Sequence, residues 1–523
     1  MPEHVHPYDN YGYAVTSLNA QRSPDALAIR YRGTDYSFAE VNARVNRTAN
    51  ALCTLGVRPG DRVAVQLDDV MAIVDSYLAL AKLGAVLVAL NPYWSDEVLA
   101  QVLAHCRVQH MLLSGADRAR LQAAAGEPAP ALILVDGAEA AGSAASLPEA
   151  LAAADDVEPP LGAGGAAPLA FFFTSGTTGM PKPAVHSHAS CRSMADIWLS
   201  LPRTESSMWG TGPIIWGIGF PCTIGAALFV GMPVVLEDDF GPAGFTRAMR
   251  HSAITHMTVI PTFWSELLAL PEAADLDLGG LEAVIVGGEP LGDNLLRAMM
   301  ERAPGAGVYS FYGQTEAPYT CIGRLDDGSQ TAAVAGLARP TCAAQVLSPD
   351  GRRVTAEPGE LAVTGPHLMR EYFDLPEKTA ESLRDGWFFS GDLALQDERG
   401  RITVLGRRED AIHRGGRFIQ PLTIEDAALG LDGVLEAGAV AVPSDQGDDR
   451  ILLALRCAGE ANERDLRAAL AGVLPPDALP DRIVLADELP HGNDNSGGKG
   501  KLLRREIGAL YAHLLDAEGD ANG

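Results

Sequence analysis

The chain has 523 residues, which is enough for two to four domains with ample core. Its 67 acidic residues outnumber its 40 Lys and Arg residues, and the formal net charge of −27 argues against nucleic acid and anionic membrane surfaces as partners. Seven cysteines without a Cys-x-x-Cys pair indicate free thiols, and the start of the chain lacks the features of a secretory signal, so we expect a cytoplasmic protein.

The first third of the chain alternates between strand and helix patterns. Apolar spacing predicts, in chain order, a hairpin over 25–40, a helix over 39–55, a strand over 60–65, a helix over 71–83 and a strand over 85–90. The stretch 122–168 is rich in Ala, Gly and Pro and predicts a connector with one short strand over 131–135. This alternation predicts an α/β fold with mainly parallel sheets.

A turn of small and hydroxylated residues follows a buried strand pattern near Phe173. Glycines in such a turn let backbone N–H groups close on a polyphosphate, hydroxyls donate to its oxygens, and Lys182 adds a positive charge. It is not a Walker A loop, because Pro181 stands where that motif, counted from Gly176, has its second glycine. An ordinary turn is the alternative. The candidate phosphate cradle consists of Thr174, Ser175, Gly176, Thr177, Thr178, Gly179 and Lys182.

Two features after the cradle have structural interpretations. His186 and His188 would share one face of a strand, but no third ligand stands at useful spacing, so a packed or hydrogen-bonded role is favoured over a metal pair. Residues 208–236 contain no charge and are long enough to span a bilayer, yet they hold three prolines and six glycines. We therefore expect a buried loop, helix and strand beside a pocket, and no membrane insertion.

A second glycine turn and an acidic motif follow two further strand patterns. One strand leads into Gly287-Gly288-Glu289-Pro290, with a helix over 295–302, and the next leads into Tyr312-Gly313-Gln314-Thr315-Glu316. In an open α/β sheet, ligands bind outside the carboxyl ends of the strands, so both turns lie where we expect a nucleotide. The carboxylate of Glu316 is a hard oxygen ligand of the kind that Mg²⁺ needs beside phosphates, and a buried capping glutamate is the alternative.

The C-terminal part adds three motifs. Asp392 lies in the run 386–393, and acidic residues accept ribose hydroxyls in unrelated nucleotide sites. A strand over 401–405 leads into residues 406–410 (Gly-Arg-Arg-Glu-Asp) and then into a glycine-containing run over 415–421. The stretch 489–505 ends in Gly-Lys-Leu-Leu-Arg and contains Lys499 and Lys501.

These motifs resemble, in the same order, those of the adenylate-forming family, which includes acyl- and aryl-CoA ligases, stand-alone adenylation domains and beetle luciferase. The resemblance extends over about residues 10–510. It implies a large N-terminal adenylation domain of several subdomains over 1–405, a hinge over 406–410, a small mobile α+β lid domain over 411–510, and a flexible tail over 511–523.

The resemblance also implies roles for single residues. Tyr312 would pack on the adenine, Thr315 would touch the α-phosphate, Glu316 would hold Mg²⁺, Asp392 would accept the ribose hydroxyls and Arg407 would reach ribose and phosphate. The nucleotide-binding set further includes Gly288, Glu289, Pro290 and Gly313. Lys501 is the expected catalytic lysine beside Thr315 and Glu316, with Lys499 as its rival because the preceding segment is longer than usual. Glu409 would be the pivot, where the family normally has Asp or Lys.

The expected acyl pocket includes Trp216, Phe220, Val259 and Gly287. Several aryl-CoA ligase relatives have His at the position of Trp216, and a flat indole would shorten the pocket, so a compact aromatic or short acid is favoured.

The resemblance implies ATP-dependent activation of this acid as an acyl-adenylate and transfer to a thiol, with CoA favoured. Three alternatives remain: a specialised biosynthetic enzyme that loads a carrier protein, one that couples a nitrogen partner or nitrite (diazotisation), and a non-catalytic AMP-binding protein.

Overall fold

The computed structural model describes residues 5–126, 129–135, 145–174, 180–199, 201, 207–210, 219–325, 332–415, 417–444, 447–459, 461–493 and 499–515. The predicted site residues Ser175, Gly176, Thr177, Thr178, Gly179 and Trp216 lie outside the described residues, as does the tail beyond Leu515. The side chains of Lys499 and Lys501 also lie outside them, and only the backbone is described there.

The helices of the described residues are α1 (Tyr11–Val15), α2 (Ser17–Arg22), α3 (Phe38–Thr54), α4 (Val70–Leu83), α5 (Asp96–His105), α6 (Arg118–Ala124), α7 (Leu147–Ala153), α8 (His188–Met194), α9 (Asp196–Leu199), α10 (Gly225–Phe229), α11 (Pro242–His251), α12 (Pro261–Ala269), α13 (Asp293–Arg302), α14 (Pro376–Ser382), α15 (Pro421–Leu429), α16 (Glu463–Ala471) and α17 (Arg504–Tyr511). A π-helical turn over Phe220–Ile224 precedes α10.

The strands up to the second glycine turn are β1 (Leu27–Tyr31), β2 (Thr34–Ser37), β3 (Arg62–Gln66), β4 (Val86–Ala89), β5 (His110–Leu113), β6 (Ala131–Leu134), β7 (Ala145–Ser146), β8 (Pro168–Thr174), β9 (Lys182–Ser187), β10 (Ser207–Gly210), β11 (Val234–Leu236), β12 (Ile254–Val259) and β13 (Ala283–Gly287). The strands after it are β14 (Gly307–Gln314), β15 (Ala317–Arg324), β16 (Val334–Ala338), β17 (Ala343–Leu347), β18 (Gly359–Thr364), β19 (Glu371–Tyr372), β20 (Leu383–Arg384), β21 (Trp387–Gln396), β22 (Ile402–Arg407), β23 (Ile412–Arg414), β24 (Arg417–Ile419), β25 (Val434–Val442), β26 (Arg450–Cys457), β27 (Arg482–Leu485), β28 (His491–Asn493) and β29 (Lys499–Leu502).

Caps define the first helices as the sequence predicts. Ser37 and Glu40 form a reciprocal capping box at the start of α3, and the Asp69 side chain accepts the Ala72 N–H at the start of α4. Helix α4 ends at Gly84, whose backbone has a positive φ of 69°. A Cβ on Gly84 would also lie 2.5 Å from the Ala163 backbone nitrogen, so only glycine fits there.

One sheet, in the order β19-β9-β8-β4-β3-β5-β6-β7, carries the phosphate-cradle strand. Strands β3 to β8 run parallel, β9 returns antiparallel to β8, and β19 pairs antiparallel with β9. Consecutive residues of a strand point to opposite faces. Phe171 and Val185 therefore pack with the cluster that contains Val88, while Phe172 packs on the other face with the core around α4.

The larger sheet has a parallel half and an antiparallel half. Its order is β17-β18-β21-β22-β16-β15-β14-β13-β12-β10-β11-β1-β2, with β20 pairing β21. Strands β10 to β14 are parallel, and the strands from β15 to β22 pair antiparallel. The predicted α/β class is confirmed. The sequence patterns did not distinguish the antiparallel strands of this sheet from its parallel strands.

The C-terminal part packs its own core around β25, β26 and β27. It contacts the larger part through the Asn294 side-chain amide, which donates to the Asp426 carbonyl over 3.1 Å, and through Gln420, which donates to the Val404 carbonyl over 3.1 Å. Strand β22 continues through Gly406 and Arg407, so the predicted hinge begins inside a strand. The domain boundaries themselves stay a prediction.

The two histidines and the part of the uncharged stretch over 220–228 are buried, as expected. Phe220 and Cys222 lie in the core in the π-helical turn, and the described part of the chain contains no helix that is long and apolar enough to cross a membrane. His186 and His188 are both fully buried, at the end of β9 and the start of α8.

Candidate active site

Asp392 is the centre of one polar cluster, and β21 positions it opposite β14 and β22. Its Oδ2 accepts the Tyr312 hydroxyl over 2.6 Å and the Gln314 side-chain amide over 2.8 Å, and its Oδ1 pairs with Arg407 Nε at 3.2 Å. Burial raises the pKa of the Tyr312 hydroxyl well above its usual value, and the adjacent Asp392 carboxylate raises it further, so Tyr312 donates this bond. A ribose that binds Asp392 must share or displace these donors.

Glu316 and Lys182 meet at a tyrosine that the sequence analysis did not single out. The Tyr372 hydroxyl, on β19, donates a short hydrogen bond to Glu316 Oε1. Lys182 Nζ donates to the same hydroxyl over 3.4 Å and lies 4.5 Å from the centre of the Tyr372 ring. The other carboxylate oxygen of Glu316 makes no hydrogen bond to a described residue. The cradle lysine and the acidic motif are therefore neighbours in the structure.

His186 holds the backbone of Thr315, the residue before Glu316. Its Nε2 donates to the Thr315 carbonyl over 2.7 Å, and its Nδ1 is 3.2 Å from the Ser190 hydroxyl. Burial lowers the pKa of His186 to about 4, so the ring is neutral at pH 7. His188 accepts the Tyr11 N–H at Nδ1 over 3.0 Å. Both histidines have the hydrogen-bonded role that was favoured over a metal pair.

Glu289, Gly288 and Gly287 follow β13 at the same edge of the sheet. Glu289 accepts the Thr262 hydroxyl over 2.7 Å and the Thr262 N–H over 3.1 Å, and Gly288 is exposed with a φ of 84°. Gly287 packs tightly on β14, because a Cβ there would lie 2.4 Å from the Phe311 carbonyl oxygen. Pro290 is exposed beside them.

The predicted wall of the acyl pocket is divided between two regions. Val259 is buried in the cluster that contains Val286. Phe220 is buried in the other main cluster, with its ring 4.7 Å from that of Tyr77. The structure does not bring these two side chains into one cluster, and their role in substrate binding stays a prediction.

Tyr319 is a further aromatic residue that sequence patterns missed. It is buried with a positive φ of 49°, which is a strained conformation for a bulky residue, and its ring meets Phe311 edge-on at 4.5 Å. The Tyr319 backbone also packs closely on Gly313, because a Cβ on Gly313 would lie 2.4 Å from the Tyr319 nitrogen.

The strand that carries both candidate lysines is anchored by an ion pair on its C-terminal side. Arg504 binds the buried Glu425 with Nε at 3.1 Å and Nη2 at 2.7 Å, and Glu425 also accepts the Ala439 N–H over 2.9 Å. The choice of Lys501 over Lys499 stays a prediction. Glu409 is exposed and pairs with Arg505, so the predicted pivot contacts the segment that follows the lysines.

The comparison with protein families agrees with this arrangement. The model described as "AMP-binding enzyme" matches residues 17–373, which is more than half of the chain and includes the cradle, the acidic motif and Tyr372. The chain belongs to the AMP-binding enzyme family. The predicted class, an adenylate-forming ligase, is thereby confirmed.

Relatives of this AMP-binding enzyme include ligases for aromatic acids. Feruloyl-CoA synthase from Amycolatopsis sp is 31% identical over 93% of this chain and 96% of its own length. The 3-hydroxybenzoate–CoA ligase from Aromatoleum sp. (strain CIB) is 30% identical over 90% of this chain and 92% of its own length.

Solved structures have the same fold. ATP-bound MatB from Rhodopseudomonas palustris has a TM-score of 0.85 at 26% identity, covering 97% of this chain and 99% of its own. MenE from Bacillus subtilis, in complex with OSB-AMP, has a TM-score of 0.80 over 95% of this chain and 98% of its own, and at 24% identity it supports the fold alone. ATP and CoA are substrates that fit this family.

The residues present fit a magnesium ion that is shared with phosphates. No group of three or more His, Cys, Asp or Glu side chains among the described residues could hold a metal by itself. Glu316, however, has a carboxylate oxygen that no described residue binds, close to Lys182, and Mg²⁺ is commonly held by one or two carboxylates together with substrate phosphates and water.

Proposed function

We propose that the AMP-binding enzyme activates a compact aromatic or short carboxylic acid with MgATP and transfers the acyl group to CoA. The observation that carries the proposal is the meeting of Lys182, Tyr372 and Glu316 at the carboxyl ends of β8 and β14, the edge where nucleotides bind in such sheets.

The chemistry requires that two anions meet. A carboxylate oxygen of the acid attacks the α-phosphorus of ATP, the bond to pyrophosphate breaks, and an acyl-adenylate remains. The thiolate sulfur of CoA then attacks the acyl carbon, and AMP leaves. Positioning and neutralisation of charge supply most of the catalysis in phosphoryl and adenylyl transfer. Lys182 and Arg407 supply positive charge, and Lys501 is proposed to bridge the carboxylate and the α-phosphate.

Glu316 is the proposed metal ligand. Its Oε1 is held by the Tyr372 hydroxyl, which leaves the other oxygen for the ion. When bound, Mg²⁺ would neutralise charge on the departing pyrophosphate. His186 holds the carbonyl of Thr315, and Thr315 is the residue proposed to touch the α-phosphate.

An aromatic acid is favoured over a long acyl chain. Relatives at 30% identity or more that are named as aryl-CoA ligases support this choice, namely feruloyl-CoA synthase and 3-hydroxybenzoate–CoA ligase. Trp216 is proposed to limit the length of the pocket.

Transfer to a carrier protein is the second candidate. It is supported by similarity to the fatty acid–[acyl-carrier-protein] ligase ScoC of Streptomyces coeruleorubidus, which is 28% identical over 96% of this chain. CoA remains the preferred acceptor, because the aryl-acid relatives at 30% identity or more carry CoA in their names.

The test is pyrophosphate release with MgATP against a panel of benzoates, cinnamates and short and long aliphatic acids. Each acid is assayed alone, with CoA, with a phosphopantetheinylated carrier protein, and with nitrite or an amine. We expect aryl-CoA to form with at least one benzoate or cinnamate and not with long-chain acids. Release only with carrier protein would support the second candidate, and no release with any acid would support a non-catalytic AMP-binding protein.

A further inference from the structure

A cavity of about 230 Å³ lies on the reverse face of the strands that carry the ATP site. Val86, Phe171 and Val185 form its apolar floor, at the parallel and antiparallel junction of β4, β8 and β9. The neighbouring residue Tyr372 points to the other face, where it binds Glu316. The cavity is therefore separated from the catalytic groups by the thickness of the sheet.

Two aromatic side chains that contact each other form part of the cavity lining. The Phe171 and Phe373 rings lie 4.7 Å apart with an angle of 33° between their planes. A cavity of about 150 Å³ lined by aliphatic and aromatic side chains holds benzene, so this larger one has room for a ring with two small substituents. Small residues line the remaining wall: Gly60, Gly84, Ala163 and Ala167.

Two charged side chains of opposite sign complete the lining, and neither forms an ion pair with a described residue. Arg62 donates from Nε to the Arg107 carbonyl over 3.0 Å, but its two Nη groups make no hydrogen bond or ion pair with a described residue. Glu371 is exposed, and its carboxylate likewise makes no hydrogen bond or ion pair with a described residue. Arg62 lies 5.9 Å from the centre of the Phe373 ring, which keeps its guanidinium over the aromatic part.

The backbones of Arg62 and Glu371 lie on strands that are well separated in the sheet. Arg62 is on β3 and Glu371 is on β19, and three strands separate them in the sheet. At roughly 4.8 Å per strand, their backbones are about 19 Å apart, which exceeds the combined reach of the two side chains. A ligand that satisfies both must carry an anion at one end and a hydrogen-bond donor at the other.

We propose that this cavity is a second, non-catalytic binding site for an aromatic carboxylate that bears a hydroxyl or amino group opposite its acid. The carboxylate binds the Nη groups of Arg62, the ring packs on the surface that Phe171 and Phe373 form together, and the hydroxyl or amino group donates to Glu371. The guanidinium fork suits a carboxylate because it can donate two parallel hydrogen bonds.

Equilibrium titration of the full-length protein with 4-hydroxybenzoate tests the proposal, with the catalytic site filled by an acyl-sulfamoyl adenosine. Wild type should bind one further equivalent of 4-hydroxybenzoate, and neither 4-hydroxybenzamide nor benzoate should bind as tightly. Arg62→Gln should weaken this binding at least about tenfold, because a charge-assisted hydrogen bond is lost. Ala167→Phe should remove it by filling the cavity.

Arg22→Gln, at an exposed arginine of α2, is the matched control and should bind as wild type does. The absence of a further equivalent in folded wild type would overturn the proposal, as would its retention in both Arg62→Gln and Ala167→Phe. Thermal melting checks that each variant is folded. If the sulfamoyl adenosine does not bind, the difference between wild type and the two cavity variants still reports binding in the cavity. A failure of the proposed catalytic function is therefore a separate result.

Discussion

The hydroxyl of Tyr372 joins the two groups that have to manage a leaving pyrophosphate. It donates to Glu316 and accepts from Lys182, so removing it frees both side chains to move. We expect Tyr372→Phe to lower the rate of adenylate formation at least about tenfold, or about 1.4 kcal/mol, and to raise the Mg²⁺ concentration that gives half-maximal rate. Pyrophosphate release measured across a Mg²⁺ titration checks this.

Tyr8→Phe is the matched control for Tyr372→Phe, since Tyr8 is 49% exposed and distant from these groups in the sequence. An unchanged Mg²⁺ titration in Tyr372→Phe would show that the tyrosine does not position Glu316.

Residues inside the motifs could be predicted from the sequence, whereas residues outside the motifs that bind them could not. Glu316, Asp392 and Arg407 were predicted from their motifs, and the structure joins Asp392 to Arg407 and Glu316 to the lysine of the cradle. Tyr372 and His186 reach the site through hydrogen bonds to residues that are distant in sequence. Nothing in their local sequence marks those contacts.

Strand β29 contains two lysines, and only one is expected to reach the reaction. We expect Lys501→Ala to reduce adenylate formation by about a hundredfold or more while pre-formed acyl-adenylate still reacts with CoA, because the lost charge serves only the first step. Lys499→Ala should behave as wild type in both half-reactions and is the matched control. The reverse pattern would show that Lys499 is the catalytic residue.

The segment after β22 is the place where a lid would turn, and its residue Glu409 is exposed and paired with Arg505. Glu409→Pro fixes φ and removes a backbone donor, so we expect it to slow thioester formation at least about tenfold while adenylate formation survives. Glu409→Gln keeps the backbone free and tests the ion pair alone. We expect it to change either half-reaction less than about twofold, because an exposed pair contributes little.

Separate measurement of the two half-reactions distinguishes these effects. Equal rates in Glu409→Pro and wild type for both steps would place the pivot elsewhere or show that the enzyme needs no such rotation.

Elements with strong local signals were predicted closely, and those defined by distant pairing were not. The capped helices α3 and α4 follow the periodicity and the caps, since both signals are local. The short strand β19 has two residues and exists because β9 offers it a free edge. Such an element depends on tertiary pairing, and its own residues give no periodic signal.

The molecule as a whole is strongly negative, and its candidate site pairs cations with carboxylates. The net charge of −27 is spread along the chain, whereas Lys182 and Arg407 lie at the nucleotide edge of the sheets beside Glu316 and Asp392. These two cations reduce the repulsion that a polyanionic substrate meets at this edge. The α/β class followed from the order of the patterns, but the division of the larger sheet into two halves did not, because the direction of pairing is not local.

Fully buried histidines with lowered pKa values make the stability of the whole molecule depend on pH. Burial lowers the pKa of His186 and of His188 to about 4, and burial together with Arg339 lowers that of His367 to about 3. An unfolded histidine has a pKa of about 6.5. Between pH 6.5 and 4 these histidines are therefore protonated in the unfolded chain and neutral in the folded chain. These histidines therefore lower the free energy of unfolding as the pH falls through this range.

Asp75 acts in the opposite direction, because burial raises its pKa to about 6, but its contribution is the same in two variants that differ only at a histidine.

His367 bonds the Thr320 hydroxyl at Nε2 over 2.9 Å and lies 3.2 Å from Cys342 Sγ. We expect His367→Gln to be less stable than wild type at pH 7, because it alters both contacts. Between pH 6 and 4.5 the free energy of unfolding falls as the pH is lowered, and we expect it to fall less steeply in His367→Gln than in wild type. The difference in slope should be about 1.4 kcal/mol per pH unit, which is the contribution of one proton. Urea unfolding followed by tryptophan fluorescence at several pH values measures both slopes. Equal slopes would mean that His367 is protonated equally in the folded and unfolded chains.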